Sequence, residues 1–133
     1  MIILAFLLAL QTSSPGFHVI DKGAQSGVDE AQQIVVRTAD EWAKVWQHHG
    51  MDRPRPKVDF ARETVVGIFM GSRPTAGFEV EIAGVASEAG VTVVRYREKA
   101  PSRDAITAQV ITSPYVLAAI PKTSGEVRFE KVQ

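Results

Sequence analysis

The stretch TVVGIFMGSRPTAGFEVEI, residues 64–82, predicts two strands joined by a tight connection. Thr64–Met70 is an apolar run, short enough for a central strand with both faces covered. Phe78–Ile82 alternates apolar and charged residues, as in a strand with one face in water. Between them, Arg73–Gly77 contains a proline that fixes φ and a glycine that supplies backbone freedom. The fold is therefore expected to be built from neighbouring strands.

Further strands are predicted on both sides of this stretch. Each is a short run rich in β-branched or aromatic residues, bounded by polar or glycine-containing segments. The predicted strands are residues 17–21, 34–37, 91–97, 106–112, 116–120 and 125–132. Connections of about six to nine residues indicate mostly antiparallel neighbours, some of them hairpins.

One amphipathic helix interrupts the strands. Thr38–Glu41 fit a capping box, in which the first side chain accepts from the third helical amide and the last reaches back to the cap. Trp42, Val45 and Trp46 follow at the spacing of one helical face, so residues 39–49 are predicted to form a helix. The expected fold is a β-rich α+β domain with about six to seven mostly antiparallel strands. These strands would form a small sandwich or partly closed barrel, with the helix packed on a sheet face.

Charge and cysteine content exclude several classes of function. The chain has 133 residues, with 15 Lys plus Arg and 15 Asp plus Glu. One domain is expected at this length, without the basic face that nucleic acid or an acidic membrane requires. The absence of cysteine excludes thiol catalysis, disulfides, Cys-ligated zinc and lipidation through a cysteine.

The N-terminus has the pattern of a signal peptide. Ile2–Leu10 is apolar, and the small, polar residues of Gln11–Gly16 follow it. The run is too short to span a bilayer, which takes about 20 residues. We therefore expect residues 1–14 to be a leader, residues 15–133 to be the single domain, and the protein to be periplasmic or secreted. No Lys or Arg precedes the run, so an N-terminal strand or a misassigned start codon is the alternative.

Residue patterns for catalysis or metal binding are weak. His48 and His49 are adjacent, whereas a helical metal-binding pair is spaced by four. His18 has no carboxylate partner that the sequence identifies. The serines lie in turn contexts, outside any Gly-x-Ser-x-Gly motif. We expect no catalytic residue, no metal and no cofactor, with His49 bordering the tryptophan face and His48 in solvent.

The connection carries a resemblance to a known family. Gly71–Phe78 (GSRPTAGF) is similar to the Gly-x-Arg/Lys-Pro-Thr-Gly-Gly-Tyr turn of the C-terminal domain of PrcB protease-complex subunit proteins. Ala76 replaces one glycine of that turn, and phenylalanine replaces its tyrosine. Ile34–Trp42 resembles the family's strand and Glu-Trp helix, and Ser113–Tyr115 resembles its Ser-Pro-Tyr motif. The resemblance extends over residues 34–129.

The resemblance implies a non-catalytic, exported bacterial domain. Such a domain associates with and stabilises a protein partner, for example a secreted protease complex. The partner-binding residues that it suggests are Arg73, Pro74, Thr75, Gly77, Phe78 and Tyr115. We expect Arg73 to project outward, because a charge in a tight connection is costly to bury without a matched carboxylate.

Three other interpretations remain open. In the first, the connection is only a structural hairpin, with Phe78 and Tyr115 in the core. In the second, the domain is a small-ligand or cell-envelope binding module, which predicts a concave pocket lined by aromatic side chains such as Trp42. In the third, it is a protease inhibitor that presents a rigid loop to an active-site cleft.

Overall fold

The structure, a computed structural model, describes residues 16–50 and 52–133. In these ranges the chain forms seven strands and one helix. They are β1 (His18–Gly23), β2 (Gln32–Val36), α1 (Ala39–His49), β3 (Glu63–Phe69), β4 (Glu79–Glu88), β5 (Val91–Lys99), β6 (Tyr115–Pro121) and β7 (Val127–Lys131). Within these ranges no helix is long and apolar enough to cross a membrane. The expected leader, residues 1–14, lies outside the described residues.

The strands form two sheets that pack as a small sandwich. One sheet has the order β1-β6-β3-β2 and is antiparallel throughout. The other has the order β4-β5-β7, with β4 antiparallel and β7 parallel to β5. Neither sheet closes into a barrel over the described ranges. The predicted β-rich α+β fold is confirmed. Of the two predicted arrangements, a small sandwich or a partly closed barrel, the structure has the sandwich.

The central strands β3 and β6 are buried on both faces. Val66 and Val116 belong to the core between the two sheets, whereas Val65, Phe69 and Leu117 belong to the core beneath α1. Successive side chains of a strand point to opposite faces, so a strand covered on both sides must be apolar throughout. This explains why these strands appear in the sequence as continuous apolar runs.

Helix α1 is the outer layer over the four-stranded sheet. The predicted capping box is present, with Thr38 accepting from the Glu41 amide and the Glu41 carboxylate accepting from the Thr38 amide. Trp42 and Trp46 are buried, and their indole N–H groups donate to backbone carbonyls 2.9 and 2.7 Å away. At the helix end, a Cβ on Gly50 would lie 2.3 Å from the Trp46 ring, so only glycine fits there.

The predicted strand at residues 106–112 is wrong. These residues belong to an irregular segment between β5 and β6, which we call the 101–112 segment, and they make only an isolated bridge between Arg73 and Thr112. The alternating pattern is present, but no full strand lies beside it. Ile106 is fully exposed, and Val110 and Ile111 are also exposed. This connection is therefore also longer than the sequence predicted.

Candidate functional site

The backbone of residues 73–78, which we call the 73–78 connection, is fixed by the 101–112 segment. Arg73 and Thr112 exchange two backbone hydrogen bonds, of 2.7 and 2.9 Å. The Ala76 amide donates to the Ala108 carbonyl at 3.1 Å. The connection is therefore one half of a two-stretch surface and not an isolated hairpin.

Side chains tighten this surface further. The Thr112 hydroxyl donates to the Thr75 carbonyl at 3.0 Å, and the Thr75 hydroxyl donates to the Ala76 carbonyl at 2.9 Å. Gly77 has a φ of +99°, and a Cβ there would lie 2.9 Å from Pro101. The left-handed residue of the turn is thus Gly77, and Ala76 keeps a φ that any residue adopts.

Arg73 does not project freely outward as expected. Its guanidinium lies over the Phe78 ring, 5.6 Å from the ring centroid, and 4.0 Å from the Glu98 carboxylate. The side chain is 34% exposed, and its Nε is buried without a hydrogen-bond partner among the described residues. The Phe78 ring and the Glu98 carboxylate stabilise the positive charge of Arg73, which we had expected to lie in water.

A polar cavity adjoins the connection. It has a volume of about 240 Å³ and is lined by Met70, Arg73, Phe78, Glu98, Lys99, Ala100 and Lys131. Glu98 accepts from Lys131 at 3.0 Å, in addition to its contact with Arg73. Phe78 lines this cavity and also packs partly against the core between the sheets. Its position therefore fits a structural role as well as a role in binding.

The predicted partner-binding residues do not all lie together. Arg73 to Phe78 share the connection, where Pro74 and Gly77 are exposed. Tyr115 lies on the opposite side of the central sheet, buried in the core beneath α1. Its ring meets the His49 ring edge-on at 4.2 Å. Tyr115 is therefore a core residue and is separate from this surface.

Tyr115 belongs to a buried polar network that the sequence analysis missed. His49 Nδ1 lies 2.7 Å from the Ser26 hydroxyl, and His49 Nε2 lies 2.9 Å from the Asp21 carboxylate. Arg53 donates to both oxygens of Asp21, at 3.1 and 2.9 Å. Asp21 and Ser26 are far from His49 in sequence, so no spacing pattern could identify the set. The placement of His49 on the tryptophan face was the only sequence signal.

Both ring nitrogens of His49 have a hydrogen-bond partner. The Ser26 hydroxyl, which accepts from the Val28 amide, lies at Nδ1, and the Asp21 carboxylate accepts from Nε2. Burial lowers the pKa of His49, although the Asp21 carboxylate opposes this. Burial acts to raise the pKa of Asp21, but hydrogen bonds from Arg53 and His49 hold it below its ordinary value.

A comparison with protein families finds a match that contains the 73–78 connection. A family model described as PrcB C-terminal matches residues 64–121. The resemblance to the PrcB C-terminal family is confirmed. The match runs from β3 to β6 and covers less than half of the chain, a shorter range than the residues 34–129 expected from the motifs. Comparison with curated proteins and with solved structures finds no match.

The PrcB C-terminal match contains all of the predicted partner-binding residues and leaves out most of the buried network. It includes the whole 73–78 connection, the 101–112 segment and Tyr115. Asp21, Ser26 and His49 lie outside it. In the described ranges, no group of three or more His, Cys, Asp or Glu side chains could hold a metal ion. The surface formed by the connection and the segment is thus the candidate functional site within the family-matched region.

Proposed function

We propose that this protein is a non-catalytic, exported accessory domain that binds and stabilises a protein partner, such as a secreted protease complex. The binding surface would be the 73–78 connection together with the 101–112 segment. One observation carries the proposal: the region that matches the PrcB C-terminal family carries three exposed aliphatic side chains on the segment that is hydrogen-bonded to the 73–78 connection.

The exposed aliphatic side chains support partner binding. Among the described residues, five large hydrophobic side chains are exposed, and three of them are Ile106, Val110 and Ile111. Apolar groups that are concentrated on one surface are typical of interaction sites, whereas scattered ones need no explanation. A partner that covers them would remove their apolar surface from water, which favours association.

The fixed backbone also supports this function. The hydrogen bonds between Arg73 and Thr112 and between Ala76 and Ala108 hold the two stretches in one arrangement. Binding residues are commonly carried on loops that a rigid scaffold positions. Because little conformational freedom remains to be lost, binding at such a surface costs less entropy.

The buried network gives a reason to propose a non-catalytic role. A serine, a histidine and a carboxylate resemble a nucleophile, a base and its orienting group. Here, however, His49 has no exposed surface and Ser26 is only 8% exposed. The Ser26 hydroxyl also accepts from the Val28 amide. We therefore assign this set to packing of α1 and not to chemistry on a substrate.

A protease inhibitor is the second candidate. Ile106 follows a turn closed by the Ala105 amide and the Ser102 carbonyl, and its side chain is fully exposed. Such a residue could enter the specificity pocket of a protease. The small-ligand alternative has less support, because Trp42 and Phe78 line separate cavities and Tyr115 is in the core.

Site-specific photo-crosslinking in the native host tests the proposal. A photo-reactive amino acid is introduced at Ile106, and the same residue at the exposed position Val19 is the control. We expect one protein to be cross-linked through position 106 and not through position 19. Equal cross-linking at both positions, or none at position 106, would contradict the proposed surface. A cross-linked protease that the purified domain inhibits would favour the inhibitor function.

A further inference from the structure

We infer that the partner supplies an extended strand, which pairs with the backbone of residues 106–110 by β-strand addition. This inference rests on the proposed partner-binding function and specifies the chemistry of the partner. The occupant is an uncharged stretch with apolar side chains at alternate positions. Four features of the 101–112 segment support this inference: an occupied edge, a free edge, its side chains and its lack of charge.

One edge of the segment is already paired. Thr112 exchanges both backbone hydrogen bonds with Arg73, and the Ala108 carbonyl accepts from Ala76. The chain from 108 to 112 therefore follows the 73–78 connection in the antiparallel direction. Neither stretch is a regular strand in the free protein. In an extended chain the backbone groups of successive residues point to opposite sides, so those of Thr107 and Gln109 are the ones that an added strand would pair with.

No hydrogen bond among the described residues occupies the opposite edge over residues 106–110. In the described ranges, no backbone N–H from Ile106 to Ile111 donates a hydrogen bond. Among the residues that the structure describes, this side is occupied only at the end of the segment, where the Gln25 side chain donates to the Ile111 carbonyl and Gln25 bridges Ser113. Free N–H and C=O groups on an extended chain are a template for another strand.

The side chains suit pairing with an apolar strand. The stretch ITAQVIT, residues 106–112, is rich in β-branched residues, which favour strands. Ile106 and Val110 are exposed and four residues apart, a spacing that places both on the same face of an extended chain, so they can pack against cross-strand neighbours of an added strand. An apolar partner strand therefore gains both backbone hydrogen bonds and side-chain contacts.

The segment also lacks the usual protection of an edge. Exposed edges normally carry charges, prolines or bulges that prevent pairing. The edge strands β1, β4 and β7 each carry charged residues, and β1 and β4 also contain irregularities in register. Between Asp104 and Pro114 there is neither a charge nor a proline. Strand β2 is the other uncharged edge and provides an internal comparison.

Hydrogen–deuterium exchange with selected peptides tests the inference. Linear peptides are selected for binding to the purified domain from a displayed random library. We expect the peptides to carry apolar residues at alternate positions and to slow exchange at the amides of Thr107 and Gln109 by about tenfold or more, with β2 unchanged. N-methylation of alternate peptide amides should weaken binding by about tenfold. Failure to select a peptide, or protection at β2 instead, would overturn the inference.

A pair of variants separates backbone pairing from side-chain effects. Gln109→Pro removes a backbone donor that makes no hydrogen bond in the free protein, and Gln109→Ala keeps it. We expect both variants to fold. Gln109→Pro should weaken peptide binding by about tenfold or more, because it removes one hydrogen bond and disturbs the neighbouring ones. Gln109→Ala should bind the peptide as the wild type does. Equal binding by the two variants would overturn strand addition.

The outcomes distinguish this inference from the proposed function. If a native partner cross-links through position 106 while the amides of Thr107 and Gln109 in the complex still exchange freely, partner binding stands and strand addition is wrong. If protection of these amides appears without peptide and rises with protein concentration, the occupant is a second copy of this chain, and the inferred partner strand is wrong.

Discussion

His49 Nε2 lies 2.9 Å from Asp21 Oδ2 and joins the end of helix α1 to strand β1. The His49 carbonyl also accepts from the Gly27 amide at 3.0 Å, and the Ser26 hydroxyl is hydrogen-bonded to the other ring nitrogen. The helix is therefore attached to the central sheet by a satisfied polar network as well as by its tryptophans. Removing Asp21 would leave Nε2 of the buried His49 ring without this partner, which is costly.

The first prediction is that stability falls in mild acid because of His49. Its pKa is lowered in the folded state, so the unfolded state binds the proton more readily. The contribution of His49 to stability is complete above pH about 6.5 and is lost as the pH falls below it. The lowered pKa of Asp21 adds a further loss below pH about 4.

Urea unfolding at several pH values checks this prediction. We expect the free energy of unfolding to fall from about pH 7.5 to about pH 5, a range that includes the ordinary histidine pKa of about 6.5. The His49→Gln variant should be less stable than the wild type, and its free energy of unfolding should change less over this range. The His48→Gln variant, at an exposed position, should have the same pH dependence of stability as the wild type. A wild-type free energy that stays constant or rises toward pH 5 would contradict the assignment.

The second prediction concerns the helix layer. Trp46 is buried and donates to the Arg53 carbonyl, so Trp46→Ala leaves both a cavity and an unpaired acceptor. We expect a loss of about 3 to 5 kcal/mol in the free energy of unfolding. Gln47→Ala, on the exposed side of the same helix, should change it by less than about 0.5 kcal/mol. Chemical denaturation compares the two variants, and similar losses would show that the tryptophan is not a core residue.

The third prediction concerns the turn glycine. Gly77→Ala places a Cβ at a φ of +99° and 2.9 Å from Pro101, so it should destabilise the domain by about 1 to 3 kcal/mol. Gly84 has open space around it and no positive φ, so Gly84→Ala is the matched control and should have little effect. Thermal unfolding measures both. If Gly77→Ala is neutral, the turn adopts another conformation.

The local elements were predictable because their patterns lie within a few residues. The capping box at Thr38 and the spacing of Trp42 and Trp46 give the helix, and the apolar run from Thr64 gives a central strand. Whether alternation becomes a sheet depends on neighbours, however. Residues 106–112 have the pattern of a strand but lie beside a short connection, which supplies only isolated pairs.

The candidate site was predictable only in part, for the same reason. The turn residues from Arg73 to Phe78 are contiguous, so the sequence places them together. Tyr115 was included because its motif is similar to that of the family, but the alternation of β6 directs its side chain to the helix face. The contacts of Arg73 with Phe78 and Glu98 depend on packing of two strands. Sequence patterns relate only neighbouring residues, so they do not predict a contact between residues as far apart in sequence as Arg73 and Glu98.

The fourth prediction concerns the connection itself. Replacing Arg73 and Thr75 together with Ala removes the contact with the Phe78 ring and a local hydroxyl hydrogen bond, both partly exposed. We expect a loss of about 1 kcal/mol in stability or less, because exposed cation–π contacts and ion pairs are weak. Partner affinity should fall by about 1 to 2 kcal/mol, as for an arginine in an interface. Affinity that falls only in proportion to the unfolded fraction would show a purely structural role.

The fifth prediction concerns export. If the protein has a leader, mass spectrometry of material from the native host should find a chain that begins between about Gln11 and Phe17, where the polar stretch follows the apolar run. Fractionation should place this chain outside the cytoplasm. An intact Met1 on a cytoplasmic protein would contradict the prediction.

Partner affinity of an Ile106 variant tests the central claim most directly. The partner identified by cross-linking is titrated with wild type, with Ile106→Lys and with Val19→Lys, after all three are shown to be equally folded. Both substitutions replace an exposed aliphatic residue by a charge. We predict that Ile106→Lys weakens binding by about tenfold or more, because it places a charge in the apolar centre of the interface, and that Val19→Lys has no effect. Equal affinities of the wild type and Ile106→Lys would contradict a binding surface on the 101–112 segment.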